Sequence, residues 1–168
     1  MSEVAFTRDI SCRRDRIREL LSDPEFLTAF VRLQNPVEDK SSVTSDEPSS
    51  TMEWGVSTEG IPGIFRRFVD ETIPIKLAIT CPGTTPDQDG SMHLELKGKV
   101  SGELRVSLSL LTDNEDPART TMKVLGPLDI HIGFLSRKAS DMARDHMIIP
   151  ILLELADLLE QWCTGPRT

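Results

Sequence analysis

The sequence predicts a single α+β domain over residues 1–168, in which a curved antiparallel sheet of about six or seven strands wraps around a long C-terminal helix. Two observations lead to this prediction. Several segments before residue 132 alternate apolar and polar residues with period 2, as half-buried strands do, and short connections between them favour antiparallel hairpins. From about Gly133 the apolar spacing lengthens to that of an amphipathic helix.

The first three elements are a strand and two short helices. Ser11 is a candidate cap of the first helix, and Asp23 followed by Pro24 fits the N-cap and first position of the second. The side of the first strand that is expected to face the core consists of Val4, Phe6, Arg8 and Ile10.

The remaining strands come after residue 36. Residues 36–50 give a weak indication of an edge strand, and a short helical excursion is expected around Phe65. Pro74 indicates an edge position or a bulge, because proline has no N–H to donate to a neighbouring strand. Clear period-2 alternation occurs in residues 52–58, 71–81, 92–97, 104–110 and 122–132.

Pro150 lies inside the C-terminal helix. Before it, the apolar face includes Met142, His146 and Ile149. Proline removes a hydrogen bond and clashes with the preceding turn, so we expect a kink or short break around Met147–Pro150 and two helical halves with different neighbours. The apolar side after the proline consists of Ile151, Leu152, Leu155, Leu158, Leu159 and Trp162.

The composition is that of an ordinary globular chain with an aliphatic core. Of the 168 residues, 38% are hydrophobic and 27% charged, whereas 5% are aromatic and tyrosine is absent. The net charge of −8 repels phosphate backbones and anionic lipid surfaces, so neither nucleic acid nor stable membrane insertion is expected. The first ten residues fit neither a signal peptide nor a membrane span, and a cytoplasmic location is therefore expected.

The three cysteines, Cys12, Cys81 and Cys163, lie far apart in the sequence. Their odd number and wide spacing predict neither a disulfide framework nor a metal-binding knuckle, so reduced structural thiols are expected. Cys81 falls on the inward side of its strand, where apolar surroundings make a thiol inert.

Several sequence blocks resemble the START-like superfamily of polyketide cyclases and lipid-transport proteins, also called SRPBCC. LLSDPEFL at residues 20–27 is similar to the first-helix segment of many members. IPGIFRRFVDETIPIKLAI, SGELRVSLSLLTDNEDPARTTMKVLGPLDIHIG and LLEQW are similar to blocks of a bacterial family of unknown function within it. The resemblance implies a helix-grip fold with an apolar interior, and it brings no catalytic motif. Pro150 and the segment IHIGFLSRKAS depart from the family pattern.

An apolar ligand is expected to lie between the sheet and the C-terminal helix. Arg8 either anchors the polar end of such a ligand or, as the better-supported interpretation, reaches solvent or an internal acid. His146 is interpreted as a satisfied core histidine that is also placed to contact a ligand. The apolar lining is expected to comprise Met52, Trp54, Leu77, Leu94, Leu96, Val106, Leu108, Ile130 and Met142.

The other chemically interesting side chains are interpreted as structural. His93 and His131 should point outward and have no helically spaced partner, so no metal is expected, and no cofactor either. The basic residues of the first helix are interleaved with acids and are interpreted as a solvated face; they are Arg13, Arg14, Arg16 and Arg18.

Three functions are consistent with the sequence. The leading hypothesis is a carrier or sensor that binds a small hydrophobic or amphipathic, lipid-like or polyketide-like ligand. The first alternative is an enzyme of the cyclase or dehydratase kind that uses Arg8 and His146 in the same pocket, but the scarcity of inward polar residues counts against it. The second alternative is a protein-interaction module with a filled core, for example a homodimer formed through the apolar side after Pro150.

Overall fold

Seven strands form one antiparallel sheet in the order β1-β7-β6-β5-β4-β3-β2. The structure is a computed structural model that describes residues 2–37, 41–46, 48–57, 72–85, 87–131 and 136–164. The predicted helical excursion around Phe65 lies outside these residues. The strands are β1 Ser2–Ile10, β2 Ser41–Asp46, β3 Ser49–Ser57, β4 Thr72–Thr80, β5 Gly90–Leu96, β6 Ser101–Thr112 and β7 Thr120–His131.

Two short helices follow β1, as expected. The Asp23 carboxylate accepts a hydrogen bond from the backbone N–H of Glu25 at 2.9 Å, and Pro24 occupies the first turn of the second helix, which confirms the predicted cap. Ser11 does not cap the first helix, because the helix begins at Arg14 and Arg13 occupies the N-cap position, without a side-chain cap. The helices are α1 Arg14–Leu20 and α2 Pro24–Leu33.

The C-terminal helix changes its winding just before Pro150. It consists of α3 (Ser136–Ala143), a π-helical turn (Arg144–Ile148) and α4 (Ile149–Thr164). The predicted break is thus a widened turn, in which the chain stays helical while hydrogen bonds shift to more distant partners. α3 packs mainly on β7, whereas α4 packs on β1, α1 and α2. The expected division into two halves with different neighbours is confirmed.

One hydrophobic cluster joins the inner face of the sheet to the helices, and it includes Ile148 of the π turn, with Met147 packed against it. The apolar side after Pro150 is part of this cluster: Ile151, Leu152, Leu155 and Leu159 are buried inside the chain. This side therefore packs within the chain and is not exposed, as the alternative of a homodimer formed through it would require. Leu153, on the opposite side, is 39% exposed.

Cys12 and Cys163 are joined by a disulfide, so the expectation of three reduced thiols is wrong. The bridge links the turn after β1 to the last turn of α4, which are 151 residues apart in sequence. Wide sequence spacing was misleading here because the fold brings the two ends of the domain together. The cytoplasmic location stays a prediction, and the disulfide weighs against it because such bonds are rare in reducing compartments.

Arg14 is not part of a solvated helix face, contrary to expectation. Its side chain is buried and donates hydrogen bonds to the carbonyl oxygens of Leu110 at 3.0 Å and Gly83 at 2.6 Å, with further bonds to Thr84 and Thr85. Burial, aided by the nearby charge of Arg18, lowers the pKa of its guanidinium. Arg14 therefore ties α1 to the loop between β4 and β5.

Pro74 lies in an internal strand, because β4 pairs with both β3 and β5. The expected edge position is wrong. Pro74 is opposite Gly55 and precedes Ile75, the first β4 residue that pairs with β5. A missing N–H is tolerated there because the ladder with β5 has not yet begun.

Among the helices in the described part of the chain, none has the length and apolar character that a membrane span requires.

Candidate ligand-binding site on the inner face of the sheet

The predicted lining residues from the sheet occupy its inner face, the face that the helices cover. Pairing between strands arranges them in rows. Trp54 lies opposite Ile75, which lies opposite Leu96, and the row continues through Gly102 to Ile130. A second row contains Met52, Leu77, Leu94, Leu104 and Leu128. Val106 and Leu108 extend the same face along β6, and Met142 of α3 is half-buried against it.

This inner face is closely covered. None of the eight predicted lining residues of the sheet is more than 4% exposed, and Met52 and Leu108 are fully buried. Gly102 leaves a gap in its row that Ile130 fills, since a Cβ on Gly102 would lie 2.5 Å from the Ile130 Cδ1 atom. We call this set of buried lining residues the apolar wall. A ligand would therefore have to displace side chains of the wall or use space at its margin.

Trp54 carries the one buried side-chain N or O atom without a hydrogen bond in the part of the chain that the structure describes. Its indole Nε1 is shielded from solvent and has no acceptor, although the residue is only 2% exposed. Phe30 of α2 contacts the indole edge-on, with ring centroids 6.3 Å apart. Leaving a buried donor unpaired costs about 1–3 kcal/mol, so this atom is a polar group in need of a partner.

A groove of about 710 Å³ lies beside Trp54 at the β2–β4 side of the sheet. Its lining mixes the apolar residues Trp54 and Ile75 with the basic residues Lys76 and Lys97. The acidic residue Glu53 also lines it. This combination of apolar wall and charged margin suits a small amphipathic molecule.

Arg8 and His146, the two polar residues predicted for the site, lie away from this wall. Arg8 shares the inward series of β1 but pairs with Asp157 of α4, and its side chain is 32% exposed. This agrees with the interpretation that Arg8 reaches an acid. His146 is exposed, so the expected core histidine is wrong. It falls in the π-helical turn, where a helical wheel of 3.6 residues per turn no longer assigns the correct face.

Two features of the site could not be derived from the sequence. Period-2 alternation places Trp54 on the inner face, but the lack of an acceptor near its Nε1 depends on which backbone and side-chain groups surround it. The groove mixes both faces of β3 and β4, so it appears only when the strands are assembled. Strand alternation predicts that Lys76 and Lys97 point outward, but it does not predict that they lie near Trp54.

A model of the family described as "Protein of unknown function (DUF2505)" matches residues 5–162. The chain belongs to this family. No curated protein matches the sequence. The family match agrees with the resemblance to a START-like family of unknown function.

Solved structures show the same fold at low sequence identity. The aromatase/cyclase ZhuI from Streptomyces sp. R1128 is 12% identical with a TM-score of 0.61, over 98% of this chain and 99% of that one. A START superfamily protein from Mycobacterium smegmatis is 14% identical with a TM-score of 0.57, over 96% of each chain. Norcoclaurine synthase from Thalictrum flavum is 10% identical with a TM-score of 0.60, over 96% of this chain and 85% of that one. The DUF2505 chain thus has the START-like, helix-grip fold.

Proposed function

We propose that this protein binds a small amphipathic, lipid-like or polyketide-like ligand against the inner face of the sheet beside Trp54, as a carrier or sensor. The observation that supports this most directly is the buried indole N–H of Trp54, which has no acceptor among the described residues. A ligand oxygen at this position would remove the cost of the unpaired donor. The START-like fold is consistent with ligand binding, although fold alone does not identify a ligand.

The surroundings of Trp54 would supply the remaining affinity. The wall beside it is aliphatic, and each Å² of apolar ligand surface buried there contributes about 25 cal/mol before the costs of association. Met52, two residues before Trp54 on the same face, and Met92 have flexible side chains that adapt to irregular shapes. Lys76 and Lys97 at the groove would attract an anionic end group.

The test uses Trp54 itself as the reporter. In Trp162→Phe, Trp54 is the sole tryptophan, and we expect its fluorescence to change saturably on titration with oleic acid. Trp54→Phe keeps an aromatic ring but removes the N–H, and should weaken oleic acid binding, measured by calorimetry, by roughly tenfold, the value of one hydrogen bond. Equal affinity in wild type and Trp54→Phe would contradict the role of the indole N–H.

Native mass spectrometry of protein purified from its own host provides the second arm. We expect an additional mass in the lipid range that is lost on denaturation. If neither oleic acid nor any co-purified molecule binds, the proposed carrier or sensor function is wrong, whatever the role of Trp54.

The enzymatic alternative lacks its expected acid–base pair at the wall. Arg8 is engaged with Asp157, and His146 is exposed on the helix. No observation favours it further.

A protein-interaction module with a filled core is favoured by one observation, the near-complete burial of the eight lining residues by the protein's own atoms. Light scattering coupled to size-exclusion chromatography tests this alternative. A monomer that binds oleic acid would contradict it, whereas a stable dimer that binds no lipid would support it.

A further inference from the structure

A cluster of metal-ligating side chains lies on the outer face of the sheet, away from Trp54. His93 and Glu95 are two residues apart on β5 and therefore share a face, and Glu103 of β6 is directly opposite Glu95. The Nε2 atom of His93 lies 3.1 Å from Oε2 of Glu103 and 3.6 Å from Oε1 of Glu95. One ligand atom from each of the three residues falls within 4.8 Å of the other two.

Two of the three spacings between these atoms are close to those of a coordination shell. Four ligands at about 2.0–2.1 Å from a tetrahedral zinc ion are separated by roughly 3.3 Å. The two His93 distances lie on either side of this value. One imidazole nitrogen with two carboxylate oxygens is a donor set suited to zinc and similar transition metals, whereas magnesium and calcium prefer oxygen ligands alone.

The local charges favour a cation at this position. Glu95 and Glu103 face each other across neighbouring strands, an arrangement that is destabilising for like charges. Asp129 of β7 is opposite Glu103, so three carboxylates form one row across β5, β6 and β7. Lys76 is opposite Glu95, and the Arg105 guanidinium donates to both oxygens of Glu103, from Nε to Oε1 at 3.0 Å and from Nη2 to Oε2 at 3.5 Å. These two cations offset part of the negative charge, and Glu103 Oε2 also faces His93.

Space for a fourth ligand is present beside the cluster. A shallow depression of about 380 Å³ is lined by two of the three residues, Glu95 and Glu103, together with Asp129 and His131. The three side chains are 32%, 37% and 46% exposed for His93, Glu95 and Glu103, so water has access. Three protein ligands with an open fourth position is the arrangement in which zinc retains a water molecule.

We propose that His93, Glu95 and Glu103 bind one divalent transition metal ion, with zinc as the representative, on the outer face of the β5–β6 hairpin. This departs from the sequence-based expectation of no metal, which considered only the spacing among histidines. The site is independent of the proposed ligand-binding function. Because both strands contribute ligands, the bound ion also cross-links the hairpin.

Isothermal titration of the tag-free, disulfide-intact chain with zinc chloride tests this proposal. We expect saturable binding of one ion per chain, and no comparable binding of magnesium chloride. His93→Gln and Glu103→Gln should each weaken zinc binding by roughly tenfold or more. Arg105→Gln should tighten it, because it frees the Glu103 carboxylate from both hydrogen bonds of the guanidinium. These residues are on the surface, so their substitution leaves the core intact.

His146→Gln is the matched control, because His146 is an exposed histidine of the π-helical turn and lies outside the β5–β6 hairpin. It should bind zinc as wild type does, and so should Cys81→Ser, which removes the free thiol. The proposal is overturned if wild type shows no saturable binding, if His146→Gln loses as much affinity as His93→Gln, or if Cys81→Ser abolishes binding.

Discussion

The two faces of the same sheet differ sharply in how their side chains are satisfied. On the inner face, aliphatic residues are almost completely buried, and one donor, the Trp54 N–H, lacks a partner within the part of the chain that the structure describes. On the outer face, half-exposed charged groups are interlinked, as in the contacts of Glu103 with His93 and Arg105. Neighbouring residues such as Leu94 and Glu95 therefore experience opposite environments. Packing of apolar side chains stabilises the inner face, whereas hydrogen bonds and ion pairs link the charged side chains of the outer face.

The largest effect is expected from the link that holds α4 over the inner face. Cys12→Ser with Cys163→Ser removes a disulfide that spans 151 residues. Its loss should lower the free energy of unfolding by about 5 kcal/mol at most, because the unfolded chain regains entropy. Urea unfolding with and without reductant measures this. Reductant should shift the wild-type midpoint and leave that of the double variant unchanged; equal midpoints in wild type under both conditions would contradict the link.

A direct comparison of the two faces comes from adjacent residues of β5. Leu94→Ala should lower the free energy of unfolding by about 2–5 kcal/mol, because it leaves a cavity in the packed wall. Glu95→Ala, on the outer face, should change it by no more than about 0.5 kcal/mol. Chemical denaturation measures both. A similar loss in the two variants would show that the faces do not differ energetically in the way their burial indicates.

Gly102 provides a sharper test of how full the inner face is. An alanine Cβ there would lie 2.5 Å from Ile130 Cδ1 and 2.7 Å from the Asp129 carbonyl oxygen. Gly102→Ala should therefore destabilise the fold by about 1–3 kcal/mol through overpacking. Ser101→Ala, its exposed neighbour, serves as the control and should be close to neutral. Thermal melting of both variants measures the effect. An unchanged melting temperature for Gly102→Ala would show that the inner face has room for an additional methyl group.

The smallest effect concerns acid sensitivity of the outer face. Hydrogen bonds from Arg105 and then His93 hold the pKa of Glu103 below its usual range. The stabilising contribution of this carboxylate is thus complete above the ordinary glutamate pKa of about 4.3 and is lost as the pH falls through the lowered value. Glu103→Gln should reduce the fall in unfolding free energy over this acidic range. Identical acid profiles for variant and wild type would show that the Glu103 contacts contribute nothing to stability.

Individual residues show which structural features a local sequence pattern can predict. Strand alternation correctly assigned Leu77, Leu94 and Leu96 to the inner face, because the pleat of a strand determines sidedness locally. The helical wheel failed at His146, because a π turn changes the phase of the residues within it. Arg14 was misassigned because four backbone carbonyls from distant segments surround it. The metal-ligating cluster was missed because Glu103 comes from another strand than His93.

One signal in the sequence does point to that cluster. His93-x-Glu95 and Glu103-x-Arg105 lie on the two arms of a hairpin, so a correct register would have brought them together. Register, however, depends on the length and conformation of the connecting turn. Period-2 alternation alone leaves it open.

By itself, the sequence determined the inward side of each main strand and the change of the final helix before Pro150, and its resemblance to the START-like superfamily implied the fold class. The first two follow from short-range physics: side-chain alternation, helical periodicity and the missing N–H of proline. Only the tertiary structure decided the Cys12–Cys163 bridge, the burial of Arg14, the unpaired Trp54 N–H and the meeting of His93 with Glu103. Each of these joins or isolates groups through contacts between separate segments, and such contacts arise only when the whole chain has folded.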